Sequence, residues 1–574
     1  MKKIVKILFS VFNNANTQIV KFVFLSLFAT VLEVVSVGAI YPFINSVFYK
    51  NNNFILEKLK LNLESNSIVI ILCITIILVF LLKNIYSGFF IYWQNKFIQN
   101  IYKIISMNLL KNYLSKKYSF FYINNSTTLI NNVYIESKNF AFVVGSFLKF
   151  LSEIFMLIFM CIFLFFFQPY ITLFLLTFFL VFSFFYKKFI KKFFNLWGQQ
   201  RTQYTNLMLQ ELRVIFEGIK TIKIMNKENY FFQEFKRYID NFSKSAVLHS
   251  TSSEFPKIFF EIISVTFISI FIIFNLESDN NSQNIISILA VFVVAAFRLI
   301  PGFNRILVSY QNIVYSYTTI NIIYNEIKEK LEQVQLDENY ADTINFKKSI
   351  KISCLNFNYE GNNFNFFENL NLSINKNDFV GIIGESGSGK STLVNLIACL
   401  YSFNNGSIEV DNLKINTNYK INLWQKKIGY VSQATFLKEG TVRNNIAFGI
   451  EDNEIDNEKV LKSMESAELG NFLSKINYDL NSDIKESGIN LSLGEQQRFG
   501  IARALYNKSE LFILDEPTSS LDVDTEENFI NFLEGFSKTQ TVILVSHKFS
   551  TMKFCNKIFK IEQVGKNRKI IQVK

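Results

Sequence analysis

Six apolar stretches fill most of the first 310 residues, at roughly 19–48, 68–93, 141–167, 170–186, 255–275 and 285–307. Each approaches or exceeds the ~20 residues a helix needs to cross a hydrocarbon core. No soluble fold buries so many long apolar segments in sequence, so they predict six membrane spans. The third and fourth are separated only by Gln168 and Pro169, which makes them a tight hairpin. At 574 residues the chain is also too long for one hydrophobic core.

Charge sets the orientation. Lys2, Lys3 and Lys6 precede the first span, Lys96 and Lys103 follow the second, and Lys187, Lys188, Lys191 and Lys192 follow the fourth. The 277–282 turn between the fifth and sixth spans has no Lys or Arg. The positive-inside rule then places the N-terminus, both long connections and everything after the sixth span in the cytoplasm. The N-terminus reads as a mature cytoplasmic end, because no small-residue cleavage site follows a short apolar core. The net charge of +12 comes from lysines beside apolar runs. It marks membrane anchors and argues against a nucleic-acid partner.

The connections at about 95–140 and 188–254 are too long for loops and carry helical stripes. Ile98, Ile101, Ile105 and Leu109 form one, and Met208, Leu212, Ile215 and Ile219 form another. They predict helical rods extending the spans into the cytoplasm. Residues 54–63 fit either an interfacial helix, with Ile55, Leu56, Leu59 and Leu63 on one face, or a strand through Leu59, Leu61 and Leu63. A charged stretch at 325–333 continues the sixth helix. These features divide the chain into a membrane domain (1–325), a linker (326–349) and a soluble domain (350–574). The five cysteines (73, 161, 354, 399 and 555) are scattered without a C-x-x-C pair, which predicts reduced thiols and no metal cluster.

The soluble domain opens on residues 384–391, which fit G-x-x-x-x-G-K-[ST] between an apolar strand (379–383) and a helix (393–397). That setting is the one a phosphate-binding loop needs. Gly384, Gly387 and Gly389, with Ser386 in the loop, let backbone N–H groups curl toward phosphate oxygens. The positive helix end, with Thr392 in its first turn, faces the same anion. Lys390 would reach the β- and γ-phosphates of ATP, and the Ser391 hydroxyl would hold Mg²⁺.

Further along, the strand Leu511, Phe512, Ile513, Leu514 ends in two acids. Asp515 would hold Mg²⁺ through water, and Glu516 would act on the attacking water as general base. His547 follows another apolar strand, where a γ-phosphate sensor would sit.

With these motifs assembled, the chain resembles an ABC exporter half-transporter, a six-helix membrane domain fused to an ATP-binding cassette. The resemblance implies an all-α transmembrane domain of the type I exporter kind, followed by an α/β P-loop NTPase domain with an antiparallel β subdomain. It makes Gln433 the Q-loop glutamine and a Mg²⁺ contact, residues 491–495 the signature, and 519–522 the D-loop with Asp522. It makes His547 the switch and Tyr359 the aromatic that stacks on adenine. Glu486 falls in the stretch that senses the membrane domain. The signature reads Leu-Ser-Leu-Gly-Glu where the family has L-S-G-G-Q. Ser492 and Gly494, which would approach the γ-phosphate, are kept, while a carboxylate at 495 would weaken phosphate contacts. In the family the signature of one cassette completes the P-loop site of another, so the resemblance implies a homodimer with two competent sites. Short helices near 118–130 and 222–232 would dock on the cassettes.

Charges inside apolar runs are costly and point to a cargo path. Glu33, Lys83, Glu153, Lys257, Glu261 and Arg298 are such charges. Each is read either as a cargo contact or, structurally, as a side chain snorkelling near a span end or a member of an internal salt bridge. Lys83, Lys257 and Arg298 together would form a cationic belt suited to phosphate or pyrophosphate. Residues 255–261 and 297–306 resemble the corresponding stretches of bacterial ABC flippases for lipid-linked oligosaccharides. That implies an anionic glycolipid cargo at a bacterial cytoplasmic (inner) membrane with both termini inside. An exporter of peptides, lipids or drugs is the alternative, and an ATP-gated channel or sensor a more distant one.

Overall fold

The computed structural model describes residues 2–11, 15–40, 43, 65–167, 169–276, 282–330, 344–359, 364–485, 488, 491–517, 523–537, 539–547, 550–565 and 567–574. Chain contacts divide it into two compact units: Met1–Lys116 with Phe121–Val334, and Lys117–Phe120 with Gln335–Lys574.

The first unit is helical. Its helices are α1 (Lys2–Val11), α2 (Ala15–Gly38), α3 (Ser65–Leu114), α4 (Ser137–Phe167), α5 (Pro169–Glu217), α6 (Glu228–Leu276), α7 (Ser282–Tyr315) and α8 (Tyr317–Lys330). The six expected spans fall on α2 to α7 in order. Stretches long and apolar enough to cross a membrane run through Asn16–Gly38, Val69–Leu114 and Ser126–Phe166. Helices α3, α5 and α6 contain 50, 49 and 49 residues. At 1.5 Å per residue each is about 75 Å long, more than twice the hydrocarbon thickness, so they are the expected rods. Pro169 opens α5 directly after α4 ends at Phe167. It occupies the first helical turn, where a missing N–H does no harm. Residues 54–63 and most of the 277–282 turn lie outside the described residues.

The stripe on α3 packs as its spacing requires. Ile101, Ile105 and Leu109 are buried against Ile4 of α1, Phe140 and Val144 of α4 and Ile323 of α8. The second stripe differs: Met208, Leu212 and Ile215 are only half-buried and Ile219 is exposed. A single chain offers that face too little apolar surface to close on.

A polar knot staples one end of these helices together. A π-helical turn (Asn132–Glu136) brings Glu136 inward, where it accepts a hydrogen bond from Thr319 of α8 and lies 3.7 Å from Arg201 of α5. Arg201 also donates to Thr319 Oγ1 at 2.7 Å. Beside it His249 stacks on Tyr315 at 3.8 Å. Burial, aided by the Arg201 charge, lowers the His249 pKa to about 4, so the ring is neutral. Gly198 of α5 sits against this corner. A Cβ there would lie 1.8 Å from the Tyr315 carbonyl oxygen, so only glycine permits the approach of α5 to α7.

The second unit is built on a ten-stranded sheet. Its strands are β1 (Ser349–Phe357), β2 (Phe367–Asn375), β3 (Phe379–Ile383), β4 (Asn405–Val410), β5 (Leu413–Lys414), β6 (Ile428–Val431), β7 (Leu511–Asp515), β8 (Thr541–Val545), β9 (Lys557–Val564) and β10 (Asn567–Gln572). Their order is β5-β4-β1-β2-β10-β9-β3-β8-β7-β6. The β3, β8, β7 and β6 pairings are parallel, and those among β5, β4, β1 and β2 are antiparallel. The result is a P-loop-type sheet with an antiparallel subdomain at one side, the expected class.

Strand alternation explains why the central strands are apolar throughout. Phe512, Leu514, Val542 and Leu544 point into one core, with Phe499 and Val431. Leu511, Ile513, Ile543 and Val545 point into another, with Leu393 and Trp424. Parallel strands covered on both faces have no solvent side to make polar.

Candidate active site

The functional residues gather where the parallel strands end. In register, Ile382 lies beside Val545, Val545 beside Asp515, and Leu514 beside Val431. The chain beyond each strand therefore emerges on one edge of the sheet: the 384–389 loop, Glu516, His547 and Gln433. Ligands of open parallel sheets bind at that edge.

The loop has the curl its glycines predict, with φ of +77° at Gly387 and +104° at Gly389. Gly389 is the N-cap of α9 (Lys390–Ile397). Ser386 is exposed at the loop tip, Thr392 is buried, and among the described residues the buried Ser388 hydroxyl has no hydrogen-bond partner. Gly384 admits no side chain, since a Cβ would lie 2.5 Å from Ser388 Oγ. Lys390 folds back over the loop and donates to the carbonyls of Gly384 (3.0 Å) and Glu385 (3.1 Å). Its ammonium lies 4.0 Å from Glu516 Oε1.

Glu516 adopts a left-handed backbone (φ +50°), a conformation non-glycine residues seldom take. Its N–H is fixed to the Val545 carbonyl at 2.9 Å. This turn carries the carboxylate to 3.7 Å from His547 Nδ1. Such strain held in place by a sheet hydrogen bond is typical of a working residue. Lys390, Glu516 and His547, widely separated in sequence, thus form one cluster. Gln433 is exposed two residues beyond β6.

Asp515 ends β7, and burial pushes its carboxyl above the usual range. Hydrogen bonds from Tyr430 and Ser391 and the Lys390 charge offset part of that shift. Mg²⁺, which the resemblance implies, fits these donors: a hydroxyl and a desolvated carboxylate are hard oxygen ligands. A raised carboxyl pKa means that the ionised form lacks compensation, which a cation would supply. Ser391 and Asp515 would hold it, with Gln433 the further contact that the resemblance implies, and its charge would offset that of the phosphates.

Tyr430 is the residue that motif reading missed. Its hydroxyl donates to Asp515 Oδ2 at 3.2 Å. The signal in the sequence was a tyrosine at the outward-facing position of an otherwise apolar strand. Tyr430→Phe is expected to raise the Mg²⁺ concentration for half-maximal ATP turnover about ten- to a hundredfold, since one hydrogen bond to a charged group is lost. The rate at saturating Mg²⁺ should stay unchanged. A Mg²⁺ titration checks this, and an unshifted curve would rule out the role.

Tyr359 follows β1 and is hydrogen-bonded to Thr392 Oγ1 (2.6 Å). Its ring meets Phe357, Phe366 and Tyr401 at centroid distances of 5.0, 5.3 and 5.9 Å. An aromatic platform beside the loop is suited to a planar base.

Ser492 is the N-cap of α10 (Leu493–Tyr506), with Gly494 in the first turn. Among the described residues, neither is hydrogen-bonded or ion-paired to Lys390, Asp515, Glu516 or His547. Asp522 and Glu486 lie outside the described residues.

Three of the charges in apolar runs, Glu33, Lys83 and Glu153, are paired. Lys83 of α3 lies 3.7 Å from Glu33 of α2, and Arg305 of α7 grips Glu153 of α4 through Nε (2.5 Å) and Nη2 (3.0 Å). Of the two readings held for Lys83, the salt bridge is the one observed, because a lone ammonium among apolar helices is unfavourable. Lys257 is exposed on α6. The Arg298 side chain lies outside the described residues. Arg305, not singled out from the sequence, is the partner of Glu153.

Two family models match this chain: ABC transporter transmembrane region over residues 23–300 and ABC transporter over 367–519. Together they cover about three quarters of it. The chain belongs to the ABC transporters and joins a membrane region to an ATP-binding cassette, as exporter half-transporters do. It is similar to an ATP-dependent lipid A-core flippase of Pasteurella multocida, with 32% identity over 47% of this chain and 45% of that protein. It is also similar to one of Wigglesworthia glossinidia brevipalpis, with 28% identity over 66% and 64%. The matches thus span less than two thirds of these relatives' length. A bacterial Atm1-family ABC exporter with ATP bound superposes with a TM-score of 0.78, covering 98% of this chain and 96% of that one at 16% identity. At that identity the likeness is one of fold.

Proposed function

We propose that this chain is one half of an ATP-driven exporter that pairs with a second copy of itself in the bacterial cytoplasmic membrane. On this reading it flips a polyprenyl-pyrophosphate-linked oligosaccharide. The observation that carries the ATPase part is the convergence of Lys390, Asp515, Glu516 and His547 on one sheet edge. Lys390 would exchange its carbonyl partners for phosphate oxygens. Glu516 would take a proton from the attacking water, with His547 beside it to sense the γ-phosphate. A two-chain site, in which each signature acts on the nucleotide of the other copy, rests on the family resemblance. The half-buried stripe on α5 supports the same pairing.

The flippase names of the relatives support a lipid cargo, and the 255–261 and 297–306 segments support a glycolipid. Pairing of Lys83 with Glu33 favours a second reading, an exporter of peptides, lipids or drugs, because that cation is already compensated. Proteoliposomes holding the full chain separate the two. ATP-dependent translocation of a polyprenyl-pyrophosphate glycan, with no translocation of peptide, is expected. Transport of peptide or drug without the glycolipid would overturn the cargo assignment.

A further inference from the structure

The fifth signature position departs from the family pattern, and the structure shows what the departure does. Glu495 closes a capping box on α10: its Oε2 accepts the Ser492 N–H at 2.8 Å, while its own N–H donates to Ser492 Oγ at 3.2 Å. The same Oε2 also accepts the Ser492 hydroxyl proton at 3.0 Å. A carboxylate is an acceptor only, so the hydroxyl is committed as donor to it. That bond is charge-assisted and stronger than one to a neutral amide. The other oxygen, Oε1, is held by Lys475 Nζ at 3.1 Å, from a separate helix twenty residues upstream. Burial alone would raise the Glu495 pKa. The Ser492 N–H, Lys475 and the Ser492 hydroxyl outweigh it and lower the value, so the group is anionic.

A signature serine offers its hydroxyl to a γ-phosphate only if the proton is free to turn toward it. An uncompensated carboxylate beside that phosphate would also repel it. We propose that Lys475 and Glu495 form a charge-compensated latch on the signature: Glu495 holds the Ser492 hydroxyl until nucleotide arrives, and Lys475 cancels the charge that would oppose its arrival. Both are positioning residues acting through Ser492. The latch rests on the reading that the signature engages ATP. It explains how an acidic signature stays usable, because the acid comes with its own counter-ion. Lys475 is largely exposed, so the pair adds little to folding stability, and its removal is not expected to unfold the cassette.

The experiment uses the full chain in lipid nanodiscs. Lys475→Met should raise the ATP concentration for half-maximal turnover about three- to fivefold and leave the maximal rate unchanged, the scale of an exposed ion pair. Glu495→Gln should lower that concentration. In the Glu495→Gln background, Lys475→Met should have no further effect, because no carboxylate remains to be neutralised. Added salt should shrink the Lys475→Met penalty. A penalty that persists in the Glu495→Gln background, or none in the wild-type background, would overturn the latch alone. Full ATP turnover in Ser492→Ala would overturn the latch together with the signature reading beneath it.

Discussion

Glu516→Gln is expected to abolish ATP turnover, by about 10²- to 10⁴-fold, while nucleotide binding is retained. The amide keeps the shape of the carboxylate but cannot accept a proton. The residue's surroundings make the effect specific: its backbone is locked in a left-handed turn by the Val545 carbonyl, and its oxygen lies near both Lys390 and His547. Binding should survive, because the loop glycines, Lys390 and the Tyr359 platform are untouched. Phosphate release and equilibrium binding of a fluorescent ATP analogue, measured on the same preparation, check both halves. Transport should stop with hydrolysis. A variant that passes solute on ATP binding alone would mark a gated channel instead, and one that still turns over ATP would remove Glu516 from the role of general base.

Gly198→Ala should be severely destabilising although alanine is the better helix former. An added Cβ would stand 1.8 Å from the Tyr315 carbonyl oxygen. Backbone cannot swing aside as a side chain can, so α5 and α7 must separate. Overpacking of this kind costs about 1–3 kcal/mol. Here the displaced corner also holds the Arg201, Glu136 and Thr319 contacts and the stacked His249, so a loss at the upper end or beyond is expected. Gly88 in α3 is the internal control: nothing lies within 4 Å of its Cβ position. Gly88→Ala should be neutral or gain up to about 1 kcal/mol from helix propensity. Thermal unfolding of both variants in one detergent is the measurement. Equal melting temperatures would refute the close-approach argument.

The sequence disclosed what is local and periodic. Six apolar runs, the rods continuing them and the strand-loop-helix around Lys390 were all readable, because each obeys a spacing set by helix or strand geometry. The nucleotide residues were readable because phosphate chemistry restricts which residues serve. What stayed hidden depended on partners distant in the chain. Nothing near Lys83 announced Glu33, and nothing near Glu153 announced Arg305, so charges that looked available for cargo proved to be occupied. Tyr430 belonged to no motif, yet its hydroxyl is bonded to a carboxylate 85 residues later. Glu495 was visible as a departure from pattern, but its consequence depended on Lys475, which sequence proximity did not supply.

The two ion pairs within the helical bundle bear on how the polypeptide enters its membrane. In both, the acid is synthesised before the base: Glu33 precedes Lys83, and Glu153 precedes Arg305 by 152 residues. A single charge at the centre of an inserting helix carries a penalty of about 2.5–3.5 kcal/mol. Each early acid is therefore made before the base that compensates it. For Glu33 the base follows on the next long helix, α3, so the pairing of α2 with α3 is completed early. For Glu153 of α4 the base comes only after α5 and α6, on α7, which makes the arrival of α7 the event that completes this pair.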